Sequence, residues 1–328
     1  MLLGMLDLGS NSVKLQMVDG RPGAPPLPAY AFKSRVHLAE ATDHDGSITE
    51  HGARKVIEVV CEAVEVARAH HLAELIVFAT AWMRDAENGD EIRTLIESAA
   101  DVTVQQLSGE DEARLAFLAA HRWYGWSAGR LLLVDIGGGS IENAYGHDEE
   151  PEVAISLPLG AGRVTRDFLH DDPPTRQQRR DARREARSAV AQVAERLRWE
   201  GIPSLVVGSS KTIKQLARIT GAPPAKKGPF VQRTLALSDL RSCVRQLSHL
   251  DADQRGAVRG VARSRRRQII GGAIVAEAAM RTLDIETIEV CPWAVREGVL
   301  LRRLDRLDDP AERHDTSMIQ AATLVART

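Results

Sequence analysis

A turn rich in glycine and serine occurs twice in this chain, each time after a short apolar segment that ends in aspartate. The first copy contains DLGSNS at residues 7–12, and the second contains DIGGGS at residues 135–140. Each copy has the pattern of a strand, a tight turn and a second strand, with Asp7 corresponding to Asp135. The repeat therefore predicts two similarly built lobes that each direct one turn into a shared cleft.

The rest of the chain alternates between helical and strand patterns, which favours an α/β fold with a mixed sheet and flanking helices in each lobe. The predicted elements are helices at 50–70, 110–122, 212–219 and 271–283 and strands at 75–80, 103–107, 204–208 and 287–290. We expect an N-terminal lobe over 1–128, completed by 301–328, and a C-terminal lobe over 129–300.

The amino-acid composition of the chain excludes several classes of binding partner. The 328 residues include 43 Lys and Arg against 45 Asp and Glu, so the chain is not a globally basic nucleic-acid binder. No apolar run reaches the roughly 18 residues of a membrane-spanning helix. Three widely spaced cysteines suggest neither a disulfide framework nor a zinc site. We expect a cytoplasmic protein without nucleic-acid or membrane partners, and a homodimer stays open.

The two turns are suited to binding phosphate. Glycine permits backbone conformations in which successive N–H groups converge on one anion, and serine and asparagine add donors without bulk. An aspartate at the end of the preceding strand can hold a hydrated divalent cation beside the phosphates. The candidate phosphate-binding residues are Gly9, Ser10, Asn11, Ser12, Gly137, Gly138, Gly139 and Ser140.

Two other segments contain charged side chains that have either a structural or a functional explanation. The acids at residues 110–112 begin a predicted helix, where the helix dipole and capping favour them, but one of them could also deprotonate a water. Arg84 beside Asp85 fits a surface ion pair, whereas in a phosphate site it would neutralise a transferring phosphoryl group.

Seven motifs, in the same order along the chain, resemble the exopolyphosphatase/guanosine pentaphosphate phosphatase (Ppx/GppA) family, and most of all its short actinobacterial members. They are DLGSNS (7–12), FATAWMRDAEN (78–88), LSGEDEARL (107–115), LLLVDIGGGSIE (131–142), SLPLGAGRVT (156–165), SRRRQIIGGA (264–273) and WAVREGVL (293–300). The resemblance implies an actin/hexokinase/Hsp70-like fold with the active site in the cleft between the lobes.

The resemblance also implies an activity, the magnesium-dependent hydrolysis of terminal phosphoanhydride bonds of inorganic polyphosphate with release of orthophosphate. It places Glu112 at the family's general base and Arg84 and Arg265 at basic positions that contact phosphate. The acidic groups around Mg²⁺ would be Asp135, Glu142 and Asp7.

Alternative functions stay open at this stage. The turn GSSKT at 208–212 stands where the family commonly has a glycine-rich turn with threonine. Lys211 in this turn either disfavours a nucleotide substrate or is simply exposed at a helix start. A guanosine pentaphosphate phosphohydrolase and a non-catalytic sensor of polyphosphate or alarmone are the two rival functions.

A basic stripe lies between the second turn and the GSSKT turn. Six arginines within 176–187 recur at helical spacing. Such a stripe is typical of a solvated helix face, and its alternative is a track for a polyanionic substrate.

Overall fold

Two mixed β-sheets with flanking helices organise the chain. The computed structural model describes residues 1–21, 27–38, 41–43 and 45–308. They form two units, of which unit 1 comprises Met1–Ser108 and the segment from Arg296, and unit 2 comprises Gly109–Val295. Each unit contains one of the sheets.

The sheet of unit 1 has five strands in the order β3-β2-β1-β4-β5. The strands are β1 (Leu2–Leu8), β2 (Ser12–Asp19), β3 (Pro28–Arg35), β4 (Glu74–Ala79) and β5 (Val104–Gln106). The β1–β2–β3 meander is antiparallel, and β4 and β5 continue parallel to β1. Helices α1 (Glu50–Ala69), α2 (Ala81–Asp85) and α3 (Gly89–Ala100) follow β3 and β4.

Helix α1 shows how the sequence determines the packing of this unit. The Thr49 side chain accepts a hydrogen bond from the Gly52 N–H and so caps the helix N-terminus. The apolar face at Val56, Val60 and Ala63 is fully buried against the sheet and α3. The 3.6-residue period of these positions is the pattern that predicts the helix from sequence.

The sheet of unit 2 has six strands in the order β10-β11-β9-β6-β7-β8. The strands are β6 (Leu131–Ile136), β7 (Ile141–Gly146), β8 (Val153–Leu157), β9 (Leu205–Gly208), β10 (Thr234–Ala236) and β11 (Thr287–Val290). Five of them, β8-β7-β6-β9-β11, repeat the order and the directions of the unit 1 sheet, and β10 adds an antiparallel edge strand. The repeat predicted from the two turns is therefore confirmed at the level of whole sheets.

Helices cover both faces of the unit 2 sheet. They are α4 (Gly109–Tyr124), α5 (Ala161–Phe168), α6 (Arg176–Trp199), α7 (Lys211–Ile219), α8 (Leu237–Leu247), α9 (Ala252–Ala257) and α10 (Ile269–Thr282). One core forms where α10, buried along most of its length, packs against α5, α6 and α8. A second core lies on the opposite face, where Ala113 and Ala116 of α4 pack with Leu131, Leu133 and Ala144.

The structure has the predicted fold class, α/β with a mixed sheet and flanking helices in each unit. The chain divides at 108/109, whereas the sequence places the boundary at 128/129, because α4 packs against β6, β7 and β8. A final helix, α11 (Val295–Asp308), leads back into unit 1, and residues 309–328 of the predicted completing segment lie outside the described residues. Within the described ranges, no helix is long and apolar enough to cross a bilayer.

Candidate active site

The first glycine turn, residues 9–12, connects β1 and β2 in unit 1. The Gly9 N–H donates to the Ser12 carbonyl at 3.2 Å, which closes the turn. The segment that follows β3 supports it from outside, since the Leu38 N–H donates to the Ser10 carbonyl at 2.8 Å and residues 36 and 37 donate to that of Asn11. The turn is thus fixed by backbone hydrogen bonds.

The second glycine turn, residues 137–140, connects β6 and β7 in unit 2 by the same hydrogen bond, from the Gly137 N–H to the Ser140 carbonyl at 2.9 Å. Its outer support is the start of α5, where the Gly160 N–H donates to the Gly139 carbonyl at 3.0 Å. A Cβ on Gly160 would lie 2.3 Å from the Gly138 oxygen, so only glycine allows this approach.

Both turns present backbone donors toward solvent. The N–H groups of Ser10, Gly138 and Gly139 donate to no acceptor in the part of the chain that the structure describes, and these residues are partly exposed. Adjacent N–H groups of this kind form a concavity that suits an anion. Phosphate binding at both turns stays a prediction, and this arrangement of donors is compatible with it.

Asp7 ends β1 and lies between two cations. Its carboxylate is 3.5 Å from Lys14 Nζ, its cross-strand partner on β2, and 3.4 Å from Arg296 Nε. The side chain is largely buried. Because both cations belong to unit 1, the negative charge of Asp7 is balanced within that unit.

Asp135 ends β6 at the equivalent position but faces an acid. Its cross-strand partner is Glu142, so the two carboxylates lie on the same face of the sheet. Burial raises the pKa of Asp135, against the hydrogen bond that Ser209 Oγ donates to its Oδ2 at 2.6 Å and the charges of Lys214 and Arg265. The buried carboxylate is therefore held by a hydroxyl, with two cations nearby.

Glu142 begins β7 and is also buried. The Ser156 hydroxyl donates to its Oε1 at 2.9 Å. Its Oε2 lies 4.0 Å from the point that a Cβ on Gly137 would occupy, so this carboxylate approaches the second glycine turn closely.

Asp135 and Glu142 fit a magnesium site better than Asp7 does. Mg²⁺ prefers carboxylate oxygens, takes only one or two of them, and completes its shell with water and substrate phosphate. Two carboxylates on one sheet face beside a glycine turn meet that requirement, whereas the cross-strand partner of Asp7 is a lysine, which supplies no oxygen ligand. Among the described residues, no three His, Cys, Asp or Glu side chains are grouped as a metal cluster.

Of the three acids that begin α4, only Glu112 is buried. Glu110 is exposed and paired with Arg114 at 2.6 Å, and Asp111 is exposed. The positive end of the helix dipole favours a carboxylate in this first turn. The stabilisation of a helix start accounts for the two exposed acids without any functional role.

Helix α4 packs on the sheet face that also carries Asp135, since Leu131 and Leu133 precede that residue at intervals of two. Two contacts attach the helix to the connection between β7 and β8. His121 Nε2 contacts the carbonyl of His147 at 3.0 Å, and Arg114, nearer the helix N-terminus, donates to the Pro151 carbonyl at 3.4 Å. Glu112, in the first turn of α4, therefore belongs to a helix that is fixed on the face of the acidic pair Asp135 and Glu142.

Two arginines complete the predicted set. Arg84 of α2 donates to the Leu107 carbonyl at 3.0 Å and to Asp85 at 3.2 Å, in unit 1. Arg265 donates to Thr212 Oγ1 at 3.3 Å in unit 2, and burial lowers its pKa to about 10, so it stays protonated at neutral pH.

The predicted site residues thus fall into two sets. Unit 1 holds Asp7, Gly9, Ser10, Asn11, Ser12 and Arg84, and unit 2 holds Glu112, Asp135, Gly137, Gly138, Gly139, Ser140, Glu142 and Arg265. Four supporting residues were not predicted: Ser156, Gly160, Ser209 and Lys214. The signal for Ser209 was the strand-to-helix turn at 208–212, in which Lys211 is exposed at the first position of α7, and the signal for Ser156 and Gly160 was the motif at 156–165.

The chain is similar to known proteins over most of its length. The model of the Ppx/GppA phosphatase family matches residues 28–307. The chain is 47% identical over 324 residues to exopolyphosphatase 1 of Mycobacterium tuberculosis, covering 99% of this chain and 93% of that protein. It is 44% identical over 322 residues to exopolyphosphatase 1 of Mycobacterium leprae, covering 98% and 94%.

Among solved structures, an exopolyphosphatase from Cytophaga hutchinsonii superposes with a TM-score of 0.83 at 22% identity, covering 93% of this chain and 98% of that one. At this identity the structural match supports the fold. The family match and the full-length identity together extend over both units described above. The chain belongs to the Ppx/GppA phosphatase family.

Proposed function

We propose that the protein is an exopolyphosphatase, which hydrolyses the terminal phosphoanhydride bond of inorganic polyphosphate and releases orthophosphate. The observation that carries the proposal is that two buried carboxylates, Asp135 and Glu142, lie on one sheet face beside the second glycine turn, and that α4, which carries the buried Glu112, packs on that face. The mycobacterial relatives, named exopolyphosphatase 1, support polyphosphate as the substrate.

The residues of unit 2 divide the chemistry among them. The free N–H groups of Gly138 and Gly139 bind phosphate oxygens, and Arg265 adds positive charge. Glu112 orients a water and removes its proton as the oxygen attacks the terminal phosphorus in line. The new P–O bond forms as the bridging P–O bond breaks, and the shortened chain leaves as an anion.

Magnesium is part of this proposal. Asp135 and Glu142 would hold the ion, which when bound neutralises charge on the phosphoryl group. In unit 1, the first glycine turn and Arg84 offer further donors and charge for phosphate. Because polyphosphate already has a good leaving group, most of the rate enhancement comes from positioning and charge stabilisation.

The test is orthophosphate release with magnesium from short polyphosphate, long polyphosphate and guanosine pentaphosphate. We expect release from polyphosphate, and Glu112→Gln should lower kcat by about 10²–10⁴-fold because it removes the general base. The matched control is Glu110→Gln, two residues earlier in the same helix turn but exposed, which should leave kcat unchanged.

The same experiment separates the rival functions. Release from guanosine pentaphosphate alone would assign the pentaphosphate phosphohydrolase activity instead. Binding of polyphosphate without release from any substrate would make the protein a sensor. Equal kcat values for Glu112→Gln and wild type would remove Glu112 from the mechanism.

The proposal also includes a cytoplasmic location. The three cysteines, Cys61, Cys243 and Cys291, form no disulfide among the described residues. Persistent free thiols are usual where the environment is reducing. Cell fractionation with an antibody to the native protein tests this location.

A further inference from the structure

Helix α6 has one buried face and one arginine-rich face. The side chain of Thr175 caps its N-terminus in a capping box with Gln178, which starts the helix immediately before the arginines. Ala182, Ala186 and Val190 are fully buried and attach the helix to the unit 2 core. The active-site chemistry above uses no residue of this helix.

The arginine groove is a hollow of about 420 Å³ on the outer side of α6. Among the described residues, arginine is the only type that lines it, at positions 176, 180, 183, 184 and 187. With a rise of about 1.5 Å per residue, its first and last arginines are about 17 Å apart along the helix. The positive charge of the groove is thus spread along the helix, whereas a pocket for a single phosphate would concentrate it at one point.

The charge of the groove is only partly balanced by acids. Arg184 pairs with Asp181 at 2.8 Å, and Arg183 pairs with Glu277 at 3.4 Å. The three others have neither an ion pair nor a side-chain hydrogen bond within the described ranges: Arg176, Arg180 and Arg187. A solvated helix face is usually stabilised by alternating charges, which these three positions lack.

A further sign of like-charge crowding comes from Arg179, which lies beside the groove. Burial lowers its pKa, and the charges of Arg183 and Arg176 lower it further. A bound polyanion would relieve this repulsion, because each negative group would lie between neighbouring guanidinium groups.

We propose that the arginine groove is a second binding site, which holds the internal part of a polyphosphate chain while the chain end is at the active site. Guanidinium groups bind phosphate oxygens in a bidentate manner, and a row of them suits a chain of phosphates. This proposal rests on the proposed function and deepens it, since it makes long chains the preferred substrate class.

Two observations favour polyphosphate over nucleic acid as the polyanion. No aromatic side chain of the described part of the chain lines the groove, so bases find no stacking partner there. The groove also belongs to the same unit as the second glycine turn, and the helix supporting that turn, α5, precedes α6 directly and packs against it.

The test compares two triple variants that remove the same charge. Arg176→Gln, Arg180→Gln and Arg187→Gln together neutralise the three unpaired groove positions, and glutamine keeps a good helix propensity. The control combines Arg196→Gln, Arg241→Gln and Arg245→Gln, exposed arginines of unit 2 outside the groove. Thermal unfolding checks that both variants are folded.

The groove variant should raise KM for long polyphosphate about tenfold, since each exposed contact contributes modestly and three are lost. Its kcat and its KM for tripolyphosphate should stay unchanged, and the control should leave KM for both lengths unchanged. Equal effects on long and short chains, equal effects of the two variants, or no effect would overturn the groove as a chain-binding site.

Direct binding keeps the two proposals distinguishable. Equilibrium binding of long polyphosphate to wild type and to the groove variant, without magnesium, measures the groove independently of turnover. If wild type releases no orthophosphate, the proposed function fails, and groove-dependent binding still supports the site. Displacement of long polyphosphate by single-stranded RNA at equal phosphate concentration would assign the groove to nucleic acid and overturn the proposal.

Discussion

The two glycine turns have the same backbone, but the aspartates that precede them have opposite cross-strand partners. In each, a glycine N–H closes the turn on a serine carbonyl, at 3.2 Å for the first and 2.9 Å for the second. Across the strand pair, however, Asp7 faces Lys14, whereas Asp135 faces Glu142. One repeated backbone therefore carries a lysine beside the aspartate in unit 1 and a second acid beside the aspartate in unit 2.

This difference shows which residues specify geometry and which specify chemistry. Glycine and serine in the turn determine the backbone, which is why the repeat is visible in the sequence. The side chain opposite the strand-end aspartate determines whether that aspartate has a cation or a second carboxylate across the strand pair. In the proposed function, the first turn binds phosphate, and the glutamate opposite Asp135 adds a second oxygen ligand for a magnesium ion.

The largest expected effect comes from adding a Cβ to a glycine that forms or supports one of the two turns. Gly160→Ala places a Cβ 2.3 Å from the Gly138 oxygen, while Gly9→Ala places one 3.1 Å from the Ser12 oxygen. We expect kcat to fall about 10²-fold for Gly160→Ala, since displacing a reacting geometry by about 1 Å has effects of this size. Gly9→Ala should change kcat only a few-fold. An equal loss of kcat in the two variants would contradict the expected difference between the two glycine positions.

A smaller effect is expected from the partners of the two aspartates. Ser209→Ala removes a buried hydroxyl that donates to Asp135 and should lower the free energy of unfolding by about 2 kcal/mol. Lys14→Met removes a partly exposed ion pair of Asp7 and should lower it by about 0.5 kcal/mol or less. Urea denaturation at neutral pH measures both, and a larger loss for Lys14→Met would reverse the comparison.

The smallest effect is a pH dependence of stability at Asp135. Because burial raises its pKa, the folded protein binds this proton more tightly than the unfolded chain does. The resulting stability is present below the unfolded pKa of about 3.9 and is lost as pH rises through the folded value. Without divalent metal ions, Asp135→Asn should therefore be more stable than wild type at pH 7, and this advantage should disappear near pH 3.

Thermal unfolding across this pH range, with a chelator present, measures the difference. Asn at this position still accepts the Ser209 hydrogen bond, so the comparison isolates the charge. Lys214 and Arg265 lower the pKa of Asp135, so their charges keep the expected gain small. Lower stability of Asp135→Asn at pH 7 would show that these two cations outweigh burial.

Local patterns in the sequence predicted much of the fold. The hairpins at both turns, α1 and α10 follow from hydrophobic periodicity and glycine position, and the structure contains them. Strand β3 was not predicted, because six of its eight residues are exposed and it lacks an apolar pattern. The boundary between the units also differs from the predicted one, because the packing of α4 against the unit 2 sheet is not visible in the sequence of that helix.

The site was predictable to the extent that its residues lie within short motifs. Asp135, Glu142 and the second glycine turn occupy one hairpin, so their proximity follows from strand pairing. Ser209 reaches Asp135 from a different strand-to-helix turn, 74 positions away, and no local pattern reveals that contact. Which of the three acids at the start of α4 is buried likewise depends on how α4 packs on the sheet.

The most direct test of the account is a magnesium titration of orthophosphate release from polyphosphate by wild type, Glu142→Gln and Asp7→Asn. The account predicts that Glu142→Gln needs about 10- to 100-fold more magnesium for half-maximal release, because a ligand of the ion is lost. Asp7→Asn should keep the wild-type magnesium requirement. The account would be contradicted if Asp7→Asn raised the magnesium requirement as much as or more than Glu142→Gln, or if release by wild type did not depend on magnesium. Either result would remove the magnesium site from Asp135 and Glu142 of unit 2.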